Sequence, residues 1–462
     1  MTGRRTLFRG GTVVGTQGAS AADLLVEGET VAALGLPGRL DREQPDEVVD
    51  ASGKLVLPGL VDPHLHFDSP FMGTVTVHGY GQGTVAAAHG GVTTVIDFTT
   101  QPKGGSILEN VARKEADARQ SCIDWSASGI VLDASPATLA ELPRLVEAGL
   151  PTYKCFTTYR QSGRLVEDAG ILALLEATAR TGGMLMVHAE NDAIVEHAQA
   201  REIAAGHLEP IYHARSRPPA AEVVAIRRLI DLVRQVPAPL YVVHVSTGEG
   251  AALIREAREE GLPVHGETCT HYLTLTEEAL RGPRGQLYIC SPPLRLQGDV
   301  DALWRAVASG TLEVVSSDDA GVSPADNLRI GAGRFDRVPS GLSGIEARLA
   351  VLYTEGVAKG RIGLERLVAL TASEPARLFG LSPRKGVLAP GADADVVVYD
   401  PAPEWVMTAA ALHMSTDFCP FEGLRVKGRV QSVWCRGSPV VRDGAFVGRP
   451  GHGRRVFRRL AG

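Results

Sequence analysis

The sequence predicts an α/β protein: a (β/α)8 TIM-like barrel carrying a small β-sandwich domain built from both chain ends. Three observations predict it. Eight short apolar runs recur through the middle of the 462 residues, most of them followed by a longer amphipathic stretch, which is the texture of repeated βα units. The two ends share a different texture, of short β-type runs cut by Gly, Asp and Ser turn signals. Polar residues able to bind metal gather at the ends of the apolar runs, where βα barrels build their sites.

In chain order, residues 1–57 contain the runs LFRGGTVV, DLLVEGETVAAL and DEVVDASGKLVLP, with no helical periodicity. The same texture returns over 384–450 in KGVLAPGADADVVVYDP and GRVQSVWCRGSPVVRDGAFV, so the two segments are expected to pair into one small domain. Residues 58–383 hold the barrel. Its strand candidates are GLVDPHLH, TTVIDF, WSASGIVL, TYKCF, MLMVHAE, LYVVHVS, PVHGETC and LEVVSSDD. Between them ILENVARKEADARQ, AEVVAIRRLIDLVRQV and GAALIREAREEG repeat apolar residues at helical spacing. A doubly wound open sheet is the alternative, but no Gly-rich dinucleotide fingerprint follows the first strand. Residues 451–462 form a short basic tail with Arg454, Arg455, Arg458 and Arg459, read as a solvated or subunit-contacting end.

A formal charge of -6 and a pI near 6.1 give no electrostatic reason to expect nucleic acid or an anionic membrane as partner. Cys122, Cys155, Cys269, Cys290, Cys419 and Cys435 show no paired close spacing, so neither a zinc ribbon nor a disulfide framework is expected and the thiols read as reduced. The N-terminus lacks a signal-peptide apolar run and no stretch reaches membrane-spanning length, which points to a cytoplasmic protein.

The chemistry centres on LVLPGLVDPHLHFDSPFMGT, residues 55–74. Side chains alternate on a strand, so His64 and His66 leave the same face and can share a metal ion. Lys154, His188, His244 and Asp318 are placed at later strand ends. Single histidines on apolar strands are usually core residues; six candidate groups all ending strands argue for a site. Lys154 is the odd member, since an ammonium is repelled by a metal. Either it pairs with a nearby acid, or its amine, neutral through desolvation, takes up carbon dioxide as a carbamate able to bridge two metals.

The stretches VDPHLHFDSPFMGT, GTVAAAHGGVTTVIDF, YKCFTTY, HAEN, HVSTGEG, ETCTHYL and CSPPLR resemble the hydantoinase and dihydropyrimidinase branch of the amidohydrolase superfamily, over residues from about 55 to 380. The resemblance implies a hydrolase that opens a cyclic amide or imide ring with two divalent metals, usually zinc, bridged by a hydroxide and by N6-carboxylated Lys154. It implies that His64, His66 and Asp318 hold the more buried metal and His188 and His244 the more exposed one. Asp318 would shuttle a proton to the leaving nitrogen, Tyr159 would donate to the developing oxyanion, and Ser291 and Ser340 would hold the ring amide. A homotetramer is the usual assembly. His78, His89, His197, His207, His213, His265, His271, His413 and His452 receive no metal role.

Two departures stand out. The family usually reads Ser-Asp-His where this chain has Ser317, Asp318 and Asp319. Because neighbours on a strand face opposite ways, Asp319 is expected to brace the site from behind. At 340 the family commonly has asparagine. Allantoinase and dihydroorotase are rival readings sharing the same centre. Dihydroorotases typically carry His-x-His-x-Arg to pair a substrate carboxylate; Asp68 stands there, which argues against an acidic substrate. A scaffold reading, as in the collapsin response mediator proteins, meets the objection that all six ligands are present.

Overall fold

The computed structural model describes residues 3–99 and 103–460. The outermost positions of the two terminal segments assigned above, 1–2 and 461–462, lie outside the described residues. Eight strands, Leu60–Leu65, Val92–Thr99, Asp124–Ile130, Thr152–Phe156, Met184–His188, Leu240–Val242, Val264–Cys269 and Val314–Ser316, form one sheet in chain order. Every neighbouring pair is parallel. A parallel bridge between Leu65 and Asp319 brings the eighth strand's end beside the first, so the sheet is a nearly closed barrel.

The strands read as continuous apolar runs because both of their faces are covered. Val92–Thr99 is buried at every position, as a parallel strand between a barrel interior and a helical layer must be. The helices bury one stripe each. Pro219–Gln235 buries Val223, Ile226, Leu229, Ile230 and Val233, three- and four-residue spacing that faces the sheet. Ile107–Asp117 starts where the Ser106 side chain accepts from the Glu109 N–H, satisfying one of the free donors of its first turn.

The sixth and eighth strands are shorter than their apolar runs suggest. Each stops two residues before a left-handed residue, His244 at φ 42° and Asp318 at φ 47°, a conformation that leaves the ladder and turns the side chain over the barrel mouth.

The chain ends form one nine-stranded sheet. Arg5–Gly15 pairs antiparallel with Gly18–Glu27, and Val396–Val406 pairs antiparallel with both Leu55–Pro58 and Arg425–Cys435. Phe8, Leu24, Val26, Val56, Val396 and Trp434 pack together on it, with Phe8 edge-on to Trp434 at 4.7 Å. The passage from this sheet into the barrel falls at Gly59, where a Cβ would lie 2.1 Å from Thr93 Oγ1. No described helix is long and apolar enough to cross a membrane. All six cysteines are free and buried.

The basic tail departs from the expected solvated end. Arg454, Arg455 and Arg459 are exposed, but Arg458 is fully buried. Its guanidinium donates to Ser126 Oγ at 2.8 Å, Ala127 O at 2.5 Å and Thr152 Oγ1 at 3.0 Å. The tail's backbone also meets the third strand, with a parallel bridge between Trp125 and Arg455. Spacing cannot reveal such a contact, because it depends on strand carbonyls that the barrel leaves free.

Candidate functional site

The C-terminal ends of the strands bring five of the six expected metal-binding residues, His66, Lys154, His188, His244 and Asp318, to line one cavity, with His64 buried directly beneath them. His64 ends the first strand. Its Nδ1 donates to Glu267 Oε1, itself held by the Tyr241 hydroxyl at 3.0 Å. This fixes the ring's tautomer and leaves Nε2 facing inward, the device by which a carboxylate orients a metal-binding imidazole. Nε2 lies 3.0 Å from Asp318 Oδ1 and 2.8 Å from Lys154 Nζ. His66 Nε2 is 3.6 Å from the same Asp318 oxygen.

On the other side, His188 gives its Nε2 to Glu190 Oε2 at 2.7 Å, and Glu190 is paired with Arg217 at 2.6 Å. Nδ1 of His188 is thereby turned to the site. The His188 and His244 rings meet edge-on at 4.5 Å. Ligand atoms of His64, His244 and Asp318 all lie within 4.8 Å of one another.

The electrostatics match a cation site. Burial opposes ionisation of Asp318, but His64, His66 and His244 hold its carboxyl well below the usual range. Burial pulls His66 down to about 3, which leaves its imidazole neutral, and lowers the Lys154 amine to about 8, which makes its neutral form far easier to reach than in an exposed lysine. His244 Nδ1 is buried without a hydrogen-bond partner, a cost that a ligated ion removes. Four imidazoles, one carboxylate and an amine suited to carboxylation exceed what one divalent ion takes from protein in a catalytic site. The residues present therefore fit a pair of divalent cations.

Asp319 faces away from the cavity floor, but not through strand alternation, because the strand has ended at Ser316 and Asp318 is left-handed. Its Oδ1 bonds His78 Nδ1 at 2.7 Å, and its Oδ2 accepts from the Gly344 and Ile345 N–H groups at 2.8 and 3.1 Å. His66 N donates to the Asp319 backbone O at 2.9 Å, so Asp319 ties three segments together, two through its carboxylate and one through its carbonyl.

The walls carry the remaining expected residues. Tyr159, held at φ 69°, tilts against His188 at 5.2 Å and lies under the Arg217 guanidinium. Backbone held in this region is rare for a bulky residue and concentrates at functional sites. Ser291 Oγ is 3.3 Å from His213 Nε2, which also bonds Cys290 O. Ser340 lines the cavity beside Gly341, whose N–H donates to Ile289 O at 2.9 Å. The cavity encloses about 640 Å³, part of it open to solvent.

Sequence reasoning did not single out Glu190, Arg217, Glu267 or Arg164. Glu190 and Glu267 lie within HAEN and ETCTHYL, and a carboxylate two residues beyond a strand-ending histidine is the signal that points to the first. Arg164 and Arg217 reach the site from loops, and no local pattern marks them.

Comparison with known proteins agrees with this geometry. The chain is 43% identical over 459 residues to a D-hydantoinase of Streptomyces coelicolor, covering 97% of each chain. It is 40% identical over 456 residues to a D-hydantoinase of Geobacillus stearothermophilus, covering 98% of this chain and 96% of the relative. The crystal structure of dihydropyrimidinase from Brevibacillus agri superposes with a TM-score of 0.96 at 40% identity, covering 99% of each chain. The Amidohydrolase family profile matches residues 55–440, and members of that family generally bind divalent metals at the mouth of such a barrel. With the profile spanning most of the chain and these relatives matching almost all of it, the protein belongs to the amidohydrolase family.

Proposed function

We propose that this protein opens the ring of a cyclic amide or imide, of hydantoin or dihydropyrimidine type, as a binuclear metal hydrolase. The observation that carries this reading is the convergence of His66, Lys154, His188, His244 and Asp318 on one cavity, over buried His64, whose Nε2 lies 2.8 Å from Lys154 Nζ. His64, His66 and Asp318 would hold one cation, His188 and His244 the other, and carboxylated Lys154 would serve both. When bound, the two cations, zinc in this reading, supply Lewis-acid activation of a water and of the scissile carbonyl.

The bridge forms from the chain's own chemistry. The neutral Lys154 amine attacks the carbon of carbon dioxide, an N–C bond forms, one C–O electron pair moves to oxygen and a proton leaves the nitrogen. The resulting carboxylate turns a repulsive cation into a ligand. Asp318 takes the proton of the attacking water and delivers it to the ring nitrogen as the C–N bond breaks. Tyr159 donates its hydroxyl to the carbonyl oxygen as negative charge develops there. Ser291 and the 340–341 strap hold the ring amide.

In this reading the protein works in the cytoplasm as a homotetramer, with exposed Leu36, Phe446 and Val447 of the end sheet available for subunit contact; light scattering at micromolar concentration measures the assembly. The function is tested by ring-opening absorbance on five- and six-membered cyclic amides and imides, with allantoin and dihydroorotate included as rivals. Turnover of a hydantoin or dihydrouracil above the rivals supports the proposal. Turnover of allantoin or dihydroorotate alone overturns it.

A further inference from the structure

Among the described residues, one charged side chain in the cavity has neither an ion-pair nor a hydrogen-bond partner for its charged group. Arg164 lines the cavity together with Phe71, Phe156 and Tyr159. Its guanidinium is sandwiched between two rings, 5.4 Å from the centre of Phe71 and 5.5 Å from that of Phe156. These faces hold the plane by cation–π attraction but satisfy none of its five N–H donors.

The surrounding acids are already committed. Glu190 is paired with Arg217, Asp192 with Arg160 at 3.0 Å and Asp336 with Arg334 at 2.8 Å. Among the described residues no carboxylate pairs with Arg164, Glu196 of the adjoining recess included. The only carboxylate lining the cavity itself, among the described residues, is Asp318, which belongs to the metal centre. Burial lowers the Arg164 pKa, which is the direction expected of a charge that has lost water and gained no counter-ion.

The backbone positions this arginine deliberately. Arg164 N and Ser162 N both donate to Tyr159 O at 3.1 Å, closing the turn through Gly163 at φ 72°. The next residue, Leu165, bridges Phe156 at the end of the fourth strand. Tyr159 and Arg164 are therefore the two ends of one closed turn, one beside the metal floor and the other on the wall.

We propose that Arg164 is a specificity-determining residue that pairs with a carboxylate on the ring substituent of the substrate. The preferred substrate class is then a cyclic amide or imide bearing an acidic side arm, a 5-carboxyalkyl hydantoin for example. This rests on the ring-opening reading above and sharpens it. The arginine that a dihydroorotase-like site would carry at 68 is absent, and Asp68 is exposed outside the cavity wall; Arg164 supplies the missing charge from another loop. A charge-assisted hydrogen bond to a partly buried guanidinium favours the carboxylate over its neutral amide by about 10-fold or more.

The test compares 5-(2-carboxyethyl)hydantoin with its primary amide, of nearly equal size, in wild type, Arg164→Lys, Arg164→Gln and Arg164→Glu. The readout is the ratio of the two kcat/KM values. Wild type should favour the acid by about 10-fold or more, Arg164→Lys should retain part of that ratio, Arg164→Gln should bring it near one and Arg164→Glu should invert it. A wild type that handles acid and amide alike, or a ratio that survives Arg164→Gln, overturns the proposal. Calorimetric binding of the same two compounds to metal-stripped protein separates this from the function itself. Acid preference in binding, lost in Arg164→Gln, upholds the Arg164 assignment even if no ring is opened; equal binding of acid and amide to wild type sinks it.

Discussion

At the scale of single residues the site divides into groups that would touch the proposed cations and groups that hold those side chains in place. Lys154 is the sharpest case, since its buried amine lies 2.8 Å from His64 Nε2 and, in the proposed reading, serves as a carboxylated ligand. Lys154→Ala should lose at least one metal per chain by mass spectrometry together with most activity, and a short carboxylic acid should restore part of both. Asp318 and Asp319 differ in what they face, and substitution should show it. Asp318→Asn is expected to lower kcat by at least about 100-fold, the usual weight of a positioned proton shuttle. Asp319→Asn keeps one acceptor for the Gly344 and Ile345 N–H groups, so it should cost about 10-fold, the lower end for a residue that holds ligands in place; a larger loss in Asp319→Asn than in Asp318→Asn would reverse the two roles. Ser340 lies on the wall where the family commonly has asparagine, and the shorter side chain leaves room for a bulkier ring substituent. Ser340→Asn should raise kcat/KM on dihydrouracil and lower it on the preferred substrate. Rates that move together on both compounds would remove Ser340 from specificity.

Between elements, the end sheet is bound to the barrel by a buried ion cluster far from the cavity. Lys385 Nζ reaches Asp124 at 2.6 Å and both Asp393 and Asp395 at 2.8 Å, while Arg436 Nε reaches Asp124 at 3.0 Å. Asp124 begins the third strand, so the cluster sits at the N-terminal face of the barrel, where residues serve stability and the catalytic face is remote. Lys385→Met leaves buried carboxylates short of a cation and should cost about 3–5 kcal/mol in guanidinium unfolding, with little change in kcat of the folded enzyme. Burial opposes ionisation of Asp124, yet Lys385 and Arg436 hold its carboxyl below the ordinary 3.8. A carboxyl depressed in the folded state contributes stability above its unfolded value and loses it as pH falls. The gap between wild type and Lys385→Met should therefore narrow below about pH 4. A gap that widens in acid would mean that Asp124 is not the group Lys385 supports.

For the molecule as a whole, the tail shows how far the fold depends on contacts between remote parts of the chain. Arg458 binds the third and fourth strands through donors to Ser126, Ala127 and Thr152. Arg458→Ala should cost about 2–3 kcal/mol, the scale of lost hydrogen bonds from a charged donor, whereas Arg459→Ala, on an exposed side chain, should be close to neutral; equal effects would contradict the buried anchor. The barrel itself was legible in the sequence, because burial on both faces of parallel strands writes continuous apolar runs such as TYKCF and VTTVIDF, and helices between them write a one-sided stripe. The proposed metal ligands stood out for the same reason, as polar residues near the ends of those runs contrast with them, and the structure brings them together. Three things were decided only by the tertiary structure. Glu267 reaches His64 and Arg217 reaches Glu190 from elsewhere in the chain, so which imidazole nitrogen faces the cavity follows from packing. The sixth and eighth strands end early because His244 and Asp318 take left-handed backbone, which composition does not encode. Among the described residues Arg164 has no acidic partner, because Glu190, Asp192 and Asp336 are held by other arginines and Asp318 by the histidines of the site. Local periodicity reports which face of an element is buried, and pairing between side chains remote in sequence is settled only when the strands close around them.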